Sequence, residues 1–253
     1  MPNLRHKFFF KGHKENLSGI ISLPKTQAKA FVLYAHCFTC GKDFTASSRI
    51  SRALVKQGFA VFRFDFTGVG ESEGDFSETN FSTNVADILA AAKYLTENFQ
   101  APQLLVGHSL GGTASIKAAS IIESCKAVVC ISSPANAMHI IELWQDDDVL
   151  AIQALGQAKI LLAGREFIIK KQFLDDLNQQ TTKHIQRLNK ALLVMHSPVD
   201  KVVAIEEAEK IYMKARHPKS FVSLDTADHL LSDRKDTQYV ADVISAWSSR
   251  FIE

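Results

Sequence analysis

Short, unbroken apolar runs alternate with longer amphipathic stretches along most of this chain. Residues 30–35, 59–65, 102–106, 127–131 and 191–195 are runs rich in Val, Leu, Ile, Phe and Ala. That is the pattern of strands covered on both faces. Between them, residues 47–57 place Ile50, Ala53 and Leu54 on one helical face and stop at Gly58. Residues 81–98 predict a long amphipathic helix, and residues 204–215 and 238–251 predict two more. A final strand is expected at 221–224, and residues 4–11 and 17–23 read as an N-terminal strand pair turning at 12–16. Strands alternating with helices predict a mainly parallel α/β sheet with helices on both faces and right-handed crossovers. The N-terminal pair would add an antiparallel edge.

The rhythm breaks between about 137 and 189. Residues 138–144 look helical, Asp146-Asp147-Asp148 starts a helix continuing to 155, and residues 159–162 and 166–170 flank Ala163-Gly164-Arg165 as a small hairpin. Residues 172–188 again predict a helix. This block delays the return to the sheet far beyond the ~2–6 residues usual for such connections. An inserted cap over 137–189 is expected, on a core of 1–136 and 190–253.

The run at Leu104-Leu105-Val106 leads into Gly107-His108-Ser109-Leu110-Gly111-Gly112, and a small-residue helical stretch follows. A serine in Gly-x-Ser-x-Gly between a buried strand and a helix start is a nucleophile elbow, raised clear of the sheet by the turn. The helix behind it would aim the Leu110 amide and the positive dipole end at a developing oxyanion. A serine hydroxyl needs a base, and the base needs an oriented acid. On this topology the order is nucleophile, acid, base. Asp200 follows the strand at 191–195 and His229 follows the strand at 221–224, so they are the candidate acid and base. Asp225 is the main rival acid, with Asp228 also close to His229. His108 should point away from the serine, His196 breaks the order, and His139 and His184 are expected on the surface of the cap.

The second oxyanion donor is expected from the loop after residues 30–35, at the amide of Phe38, with His36 as a buried anchor of that loop. Candidate substrate contacts are Cys37, His108 and Trp144. The spacing Cys37-x-x-Cys40 could serve a metal or redox pair, but no second pair completes a tetrahedral site, and loop packing is the favoured reading. No metal is expected, and hydrolysis is expected to ignore chelator and reductant. The loop from Asp65 to Gly74 has glycines but no P-loop lysine, so it reads as a buttress of the site.

Composition adds little beyond this. The 253 residues are 46% hydrophobic and 22% charged, with a net charge of +2, which gives no footing for nucleic-acid binding. No apolar run reaches the ~18 residues of a spanning helix, and residues 1–7 lack the apolar core of a signal peptide. Four cysteines make no disulfide scaffold, so a cytoplasmic location is the expectation. Homodimerisation is left open.

His36-x-Phe38, Asp65-Phe66-x-Gly68-x-Gly70-x-Ser72, the elbow, Asp200 and Asp228-His229 together resemble the α/β-hydrolase superfamily over essentially the whole chain. The runs at 35–40, 63–68 and 217–225 more narrowly resemble hydrolase domains fused to an OsmC-type domain, and the chain ends at Glu253 after its closing helix. It is also similar to feruloyl and cinnamoyl esterases, although Cys37 stands where those loops usually carry glycine. The resemblance implies carboxylester hydrolysis through an acyl-serine, with no cofactor. The expected substrate is a small uncharged ester with a short acyl group. A thioesterase or a cofactor-free perhydrolase on the same residues, or a non-catalytic ligand-binding module, are the alternatives.

Overall fold

The computed structural model describes residues 4–162 and 164–252. Met1, Pro2, Asn3 and Glu253, together with Ala163 of the expected hairpin turn, lie outside the described residues. The first half of the chain runs β1 (Leu4–Lys11), β2 (Asn16–Leu23), β3 (Phe31–Ala35), α1 (Thr45–Lys56), β4 (Ala60–Phe64) and α2 (Phe81–Asn98). The elbow is flanked by β5 (Leu104–His108) and α3 (Leu110–Ala119), and β6 (Ala127–Ile131) follows. The insertion comprises a 3₁₀ segment (Ala137–Leu143), α4 (Asp146–Leu155), β7 (Gln157–Leu162), β8 (Arg165–Lys170), α5 (Lys171–Gln179) and α6 (Lys183–Gln186). The chain returns through β9 (Ala191–His196), α7 (Ile205–Lys214), β10 (Lys219–Ser223) and α8 (Arg234–Ser248).

Eight strands form one sheet in the order β1-β2-β4-β3-β5-β6-β9-β10. β1 pairs antiparallel with β2 and β2 with β4, while every pairing from β4 to β10 is parallel. The five central strands β3, β4, β5, β6 and β9 are buried along their whole length, as their unbroken apolar runs require. One core cluster holds α2 and α3 against the sheet through Phe81, Ile88, Leu95 and Ile116. The other holds α1 and α8 through Ile50, Leu54, Val240 and Ile244.

Two expectations change. Residues 172–188 form two helices rather than one, because Gln180 leaves helical geometry and its amide to the Leu177 carbonyl closes the first helix. The segment before Trp144 is 3₁₀, with the Asn136 side chain accepting from the Met138 amide at 3.1 Å as its start.

The inserted block sits on the carboxyl end of the sheet and is tied to the start of α2. Asn80 Nδ2 donates to Gln172 Oε1 at 2.6 Å, and the Ser82 amide donates to Asp176 Oδ2 at 3.0 Å. Phe167 meets Phe76 with ring centroids 4.6 Å apart, and Phe173 meets Phe38 at 5.5 Å.

The first turn of α3 runs against the end of β3. A Cβ on Gly111 would strike the carbonyl oxygens of His36 and Ala35, both of them backbone. Gly156 also lacks a side chain, but for a left-handed φ of 80° at the end of α4, with open space around it. Gly111→Ala should therefore cost at least ~3 kcal/mol in urea unfolding, at the upper end of overpacking effects. Gly156→Ala should cost only about 1–2 kcal/mol, the strain of the backbone conformation alone. Equal losses at the two positions would show that α3 does not need that close approach.

Candidate active site

Ser109 stands between β5 and α3 with φ 54° and ψ −130°, half-buried at the carboxyl end of the sheet. Its amide donates to the Ile131 carbonyl at 2.8 Å, which docks the turn on the neighbouring strand. Its hydroxyl lies 3.1 Å from His229 Nε2. His229 Nδ1 donates to Asp200 Oδ2 at 2.8 Å, and His229 is only 7% exposed. The loops after β5, β9 and β10 thus bring together three residues that are far apart in sequence.

The competition among carboxylates is decided by geometry. Asp225 is exposed and accepts from the Ser223 hydroxyl at 2.9 Å, and Asp228 accepts from the Ser232 amide at 2.8 Å. Neither is the His229 partner. Burial pushes the Asp200 carboxyl up, but the His229 hydrogen bond and the amides of Val203 and Val202 outweigh it and hold the group at about 2. Asp200 is therefore an anion at neutral pH, oriented to accept from His229 and to stabilise an imidazolium there.

Phe38 and Leu110 line the same cavity as Ser109, and among the described residues neither backbone amide donates to another backbone group. The loop carrying Phe38 is held from several sides. His36 Nδ1 donates to the Cys37 carbonyl at 2.7 Å, and its Nε2 accepts from the Phe66 amide at 3.3 Å. The buried Lys42 donates to Asp65 Oδ2 and Glu71 Oε2, each at 2.6 Å, and its amide donates to Asp65 Oδ1 at 2.5 Å. The glycine-containing loop after β4 is a buttress, and Gly70 is there because a side chain would collide with the Asp65 carboxylate.

The cavity above Ser109 has a volume of about 340 Å³. Its walls are mainly apolar and come from both the core and the insertion, including Pro134, Ile140, Leu143, Leu161, Leu162, Val203 and Leu230. Three sequence expectations are corrected here. His108 lines no part of this cavity: it is buried beneath the site, where its Nε2 donates to the His229 carbonyl at 2.7 Å. Trp144 is also outside it, buried against Phe173 at 5.9 Å between ring centroids. Cys37 does line it, but its sulfur is joined to Cys40 in a disulfide rather than packed as a free thiol.

His139, expected on the surface, is a cavity residue. Its Nε2 meets the Val202 carbonyl at 3.2 Å and its Nδ1 the Glu142 carboxylate at 2.8 Å. Nothing in the local sequence marks it, since it reaches the cavity through the insertion's tertiary placement. His184 is half-buried, and its Nδ1 donates to the Thr181 carbonyl at 2.7 Å.

Burial pushes His36 down to about 4 and His108 down to about 3, so both are neutral under ordinary conditions. The unfolded chain, with histidines near 6.5, takes up protons that the fold refuses. Stability should therefore be complete above about pH 6.5 and fall as pH drops, by about 1.4 kcal/mol per pH unit for each residue between pH ~6 and ~4.5. Urea unfolding across that range measures the slope, and His108→Gln should reduce it by one residue's share. An unchanged slope would mean that His108 titrates normally in the folded protein.

Among the described residues, no helix is long and apolar enough to cross a membrane. A family model described as serine aminopeptidase, S33, matches residues 26–162. The esterase domain of a Rhodothermus marinus protein is 41% identical, over 99% of this chain and 100% of its own, with a TM-score of 0.81. Est1E from Butyrivibrio proteoclasticus, solved with ferulic acid bound, has a TM-score of 0.84 over 96% of this chain and 98% of its own. At 18% identity that likeness is one of fold. Human ABHD10, named a mitochondrial palmitoyl-protein thioesterase, is 30% identical over 54% of this chain. The chain spans 57% of the length of YfhR from Salmonella typhimurium and 39% of that of human ABHD10. The family match covers more than half of the chain and the esterase-domain match nearly all of it, so this chain belongs to the α/β-hydrolase superfamily, in the family described as serine aminopeptidase, S33.

Proposed function

We propose that this hydrolase is a serine carboxylesterase for small uncharged esters, working through an acyl-serine. The observation that carries the reading is the continuous hydrogen-bonded path from Ser109 through His229 to Asp200, opening on an apolar cavity. In this reading His229 takes the Ser109 proton as the hydroxyl attacks the ester carbonyl, and Asp200 stabilises the resulting imidazolium. The oxyanion is received by the amides of Phe38 and Leu110, whose donors are uncommitted. His229 then protonates the leaving alcohol, and water repeats the sequence to release the acid. No cofactor is needed for either half.

A second reading, thioester cleavage on the same residues, is favoured by the similarity to ABHD10. The chemistry differs only in the leaving group. Acyl-thioesters and oxoesters of equal chain length, compared by kcat/KM, separate the two.

A fluorophosphonate probe should label Ser109 stoichiometrically and stop hydrolysis. Asp200→Asn should lower kcat by about 10²–10⁴ with little change in KM. Ser109→Ala and His229→Ala should each cost nearly as much as the pair together, because the residues act as one unit. Full activity in Ser109→Ala, or a crippled Asp225→Asn beside a healthy Asp200→Asn, would overturn the assignment.

A volume of about 340 Å³ lies at the small end of the ~300–1,000 Å³ range for ligand pockets, which supports short acyl groups. In a chain-length series on one leaving group, kcat/KM should peak between acetyl and butyryl. Each further methylene would return about 0.8 kcal/mol in a roomy site but meets the wall here. Ile140→Ala, which removes part of that wall, should move the peak to longer chains. A wild-type optimum at octanoyl or beyond would reject the narrow-pocket account.

A further inference from the structure

We infer that the Cys37–Cys40 pair is a redox site that sets the hydrolytic rate, with a small dithiol as its reductant. The inference rests on the esterase reading of Ser109 but adds a second chemistry to the same cavity. The disulfide brackets Phe38 and Thr39, so it closes the turn that carries the Phe38 amide. Both cysteines line the cavity with Ser109, which makes the bond reachable from the space a substrate occupies. Cys40 is part-exposed whereas Cys37 is 6% exposed, so Cys40 is the more accessible half of the pair.

The exchange balances without any further partner. A thiolate of the dithiol attacks Cys40 Sγ, the bond to Cys37 breaks, and Cys37 leaves as a thiolate that takes up a proton. The second thiol of the reductant then displaces Cys40, and the reductant departs as its own disulfide. Two electrons and two protons pass to the pair. The other cysteines take no part: Cys125 and Cys130 are buried, and burial pushes their thiols up to about 12.

Once the bond opens, the turn keeps only weaker ties. The Cys40 amide still donates to the Cys37 carbonyl at 3.1 Å, and the Arg165 guanidinium still donates to the Thr39 carbonyl. A missing oxyanion donor costs about 10²–10³ in kcat, so a loosened one should cost less, about tenfold.

The test uses the full chain and dithiothreitol. Thiol titration after denaturation should give two groups per chain before treatment and four after it. Reduction should lower kcat on a 4-nitrophenyl ester about tenfold with a smaller change in KM, and re-oxidation should restore it. Cys40→Ser should sit at the lower rate and ignore dithiothreitol. Four thiols before treatment, or an unchanged kcat once four have been titrated, would overturn the proposal. If Ser109 resists fluorophosphonate and no ester is cleaved, the esterase reading itself has failed. The thiol count still reports on the pair in that case, so the two failures are told apart.

Discussion

The hydrogen bond from the Ser109 amide to the Ile131 carbonyl, 2.8 Å long, fixes a residue in a backbone conformation that side chains rarely adopt. Such strain costs about 1–3 kcal/mol and persists only where the surroundings over-determine it. Here β5 and β6 hold one side of the turn and the Gly112 amide, donating to the Ser109 carbonyl at 2.9 Å, holds the other. Because α3 begins immediately, its first turn is driven onto the end of β3, where Gly111 leaves room. That single close approach brings the serine, the free amide of Leu110 and the loop of Phe38 into one small volume.

The second support is ionic. Lys42 and Asp65 are both almost fully buried, and Glu71 closes the cluster from the surface. Loss of one member would strand an uncompensated charge, which is why a buried pair of this kind constrains geometry more than it adds stability. It ties the loop after β3 to the loop after β4, which is itself held on the sheet by the Asp65 and Glu73 amides donating to the Ser18 and Asn16 carbonyls of β2. The elbow and this cluster therefore support the two oxyanion candidates from opposite ends, and Arg165 and Phe173 of the insertion add contacts to the Phe38 loop.

The central strands and the elbow are legible in the sequence because they are written in local terms, whereas the pairing of Lys42 with Asp65 and Glu71 is not. Unbroken apolar runs locate the central strands, and the elbow follows from glycine spacing between a strand and a helix. The places where the reading failed depend on tertiary placement. His139 lines the cavity because a 3₁₀ segment carries it over the loop of Val202, and no periodicity encodes that meeting. Trp144 was expected at the substrate because it is large and apolar, yet its neighbour Phe173 lies on a helix almost thirty residues later. The spacing of Cys37 and Cys40 fits no closed metal site, and in sequence terms it points to loop packing. The turn between them brings their Cα atoms to 5.3 Å, a separation that sequence spacing alone does not give.

Four histidines crowd the carboxyl end of the sheet, and the fold must leave only one able to carry a proton between a hydroxyl and a carboxylate. His36 commits both ring nitrogens to backbone groups. His108 gives Nε2 to the His229 carbonyl, and its buried Nδ1 has no hydrogen-bond partner among the described residues. His196 is the closest competitor, with Nε2 3.7 Å from Asp200 Oδ2, but that nitrogen faces the Val203 carbonyl at 2.8 Å. Burial pushes all three down, which makes protonation costly for each of them. His229 alone among the four spans an anionic acceptor on one nitrogen and a hydroxyl on the other. The selection is made by hydrogen-bond partners more than by burial, since His229 is itself only 7% exposed. A histidine whose nitrogens both meet backbone is a strut, and one suspended between Asp200 and Ser109 is equipped to move a proton.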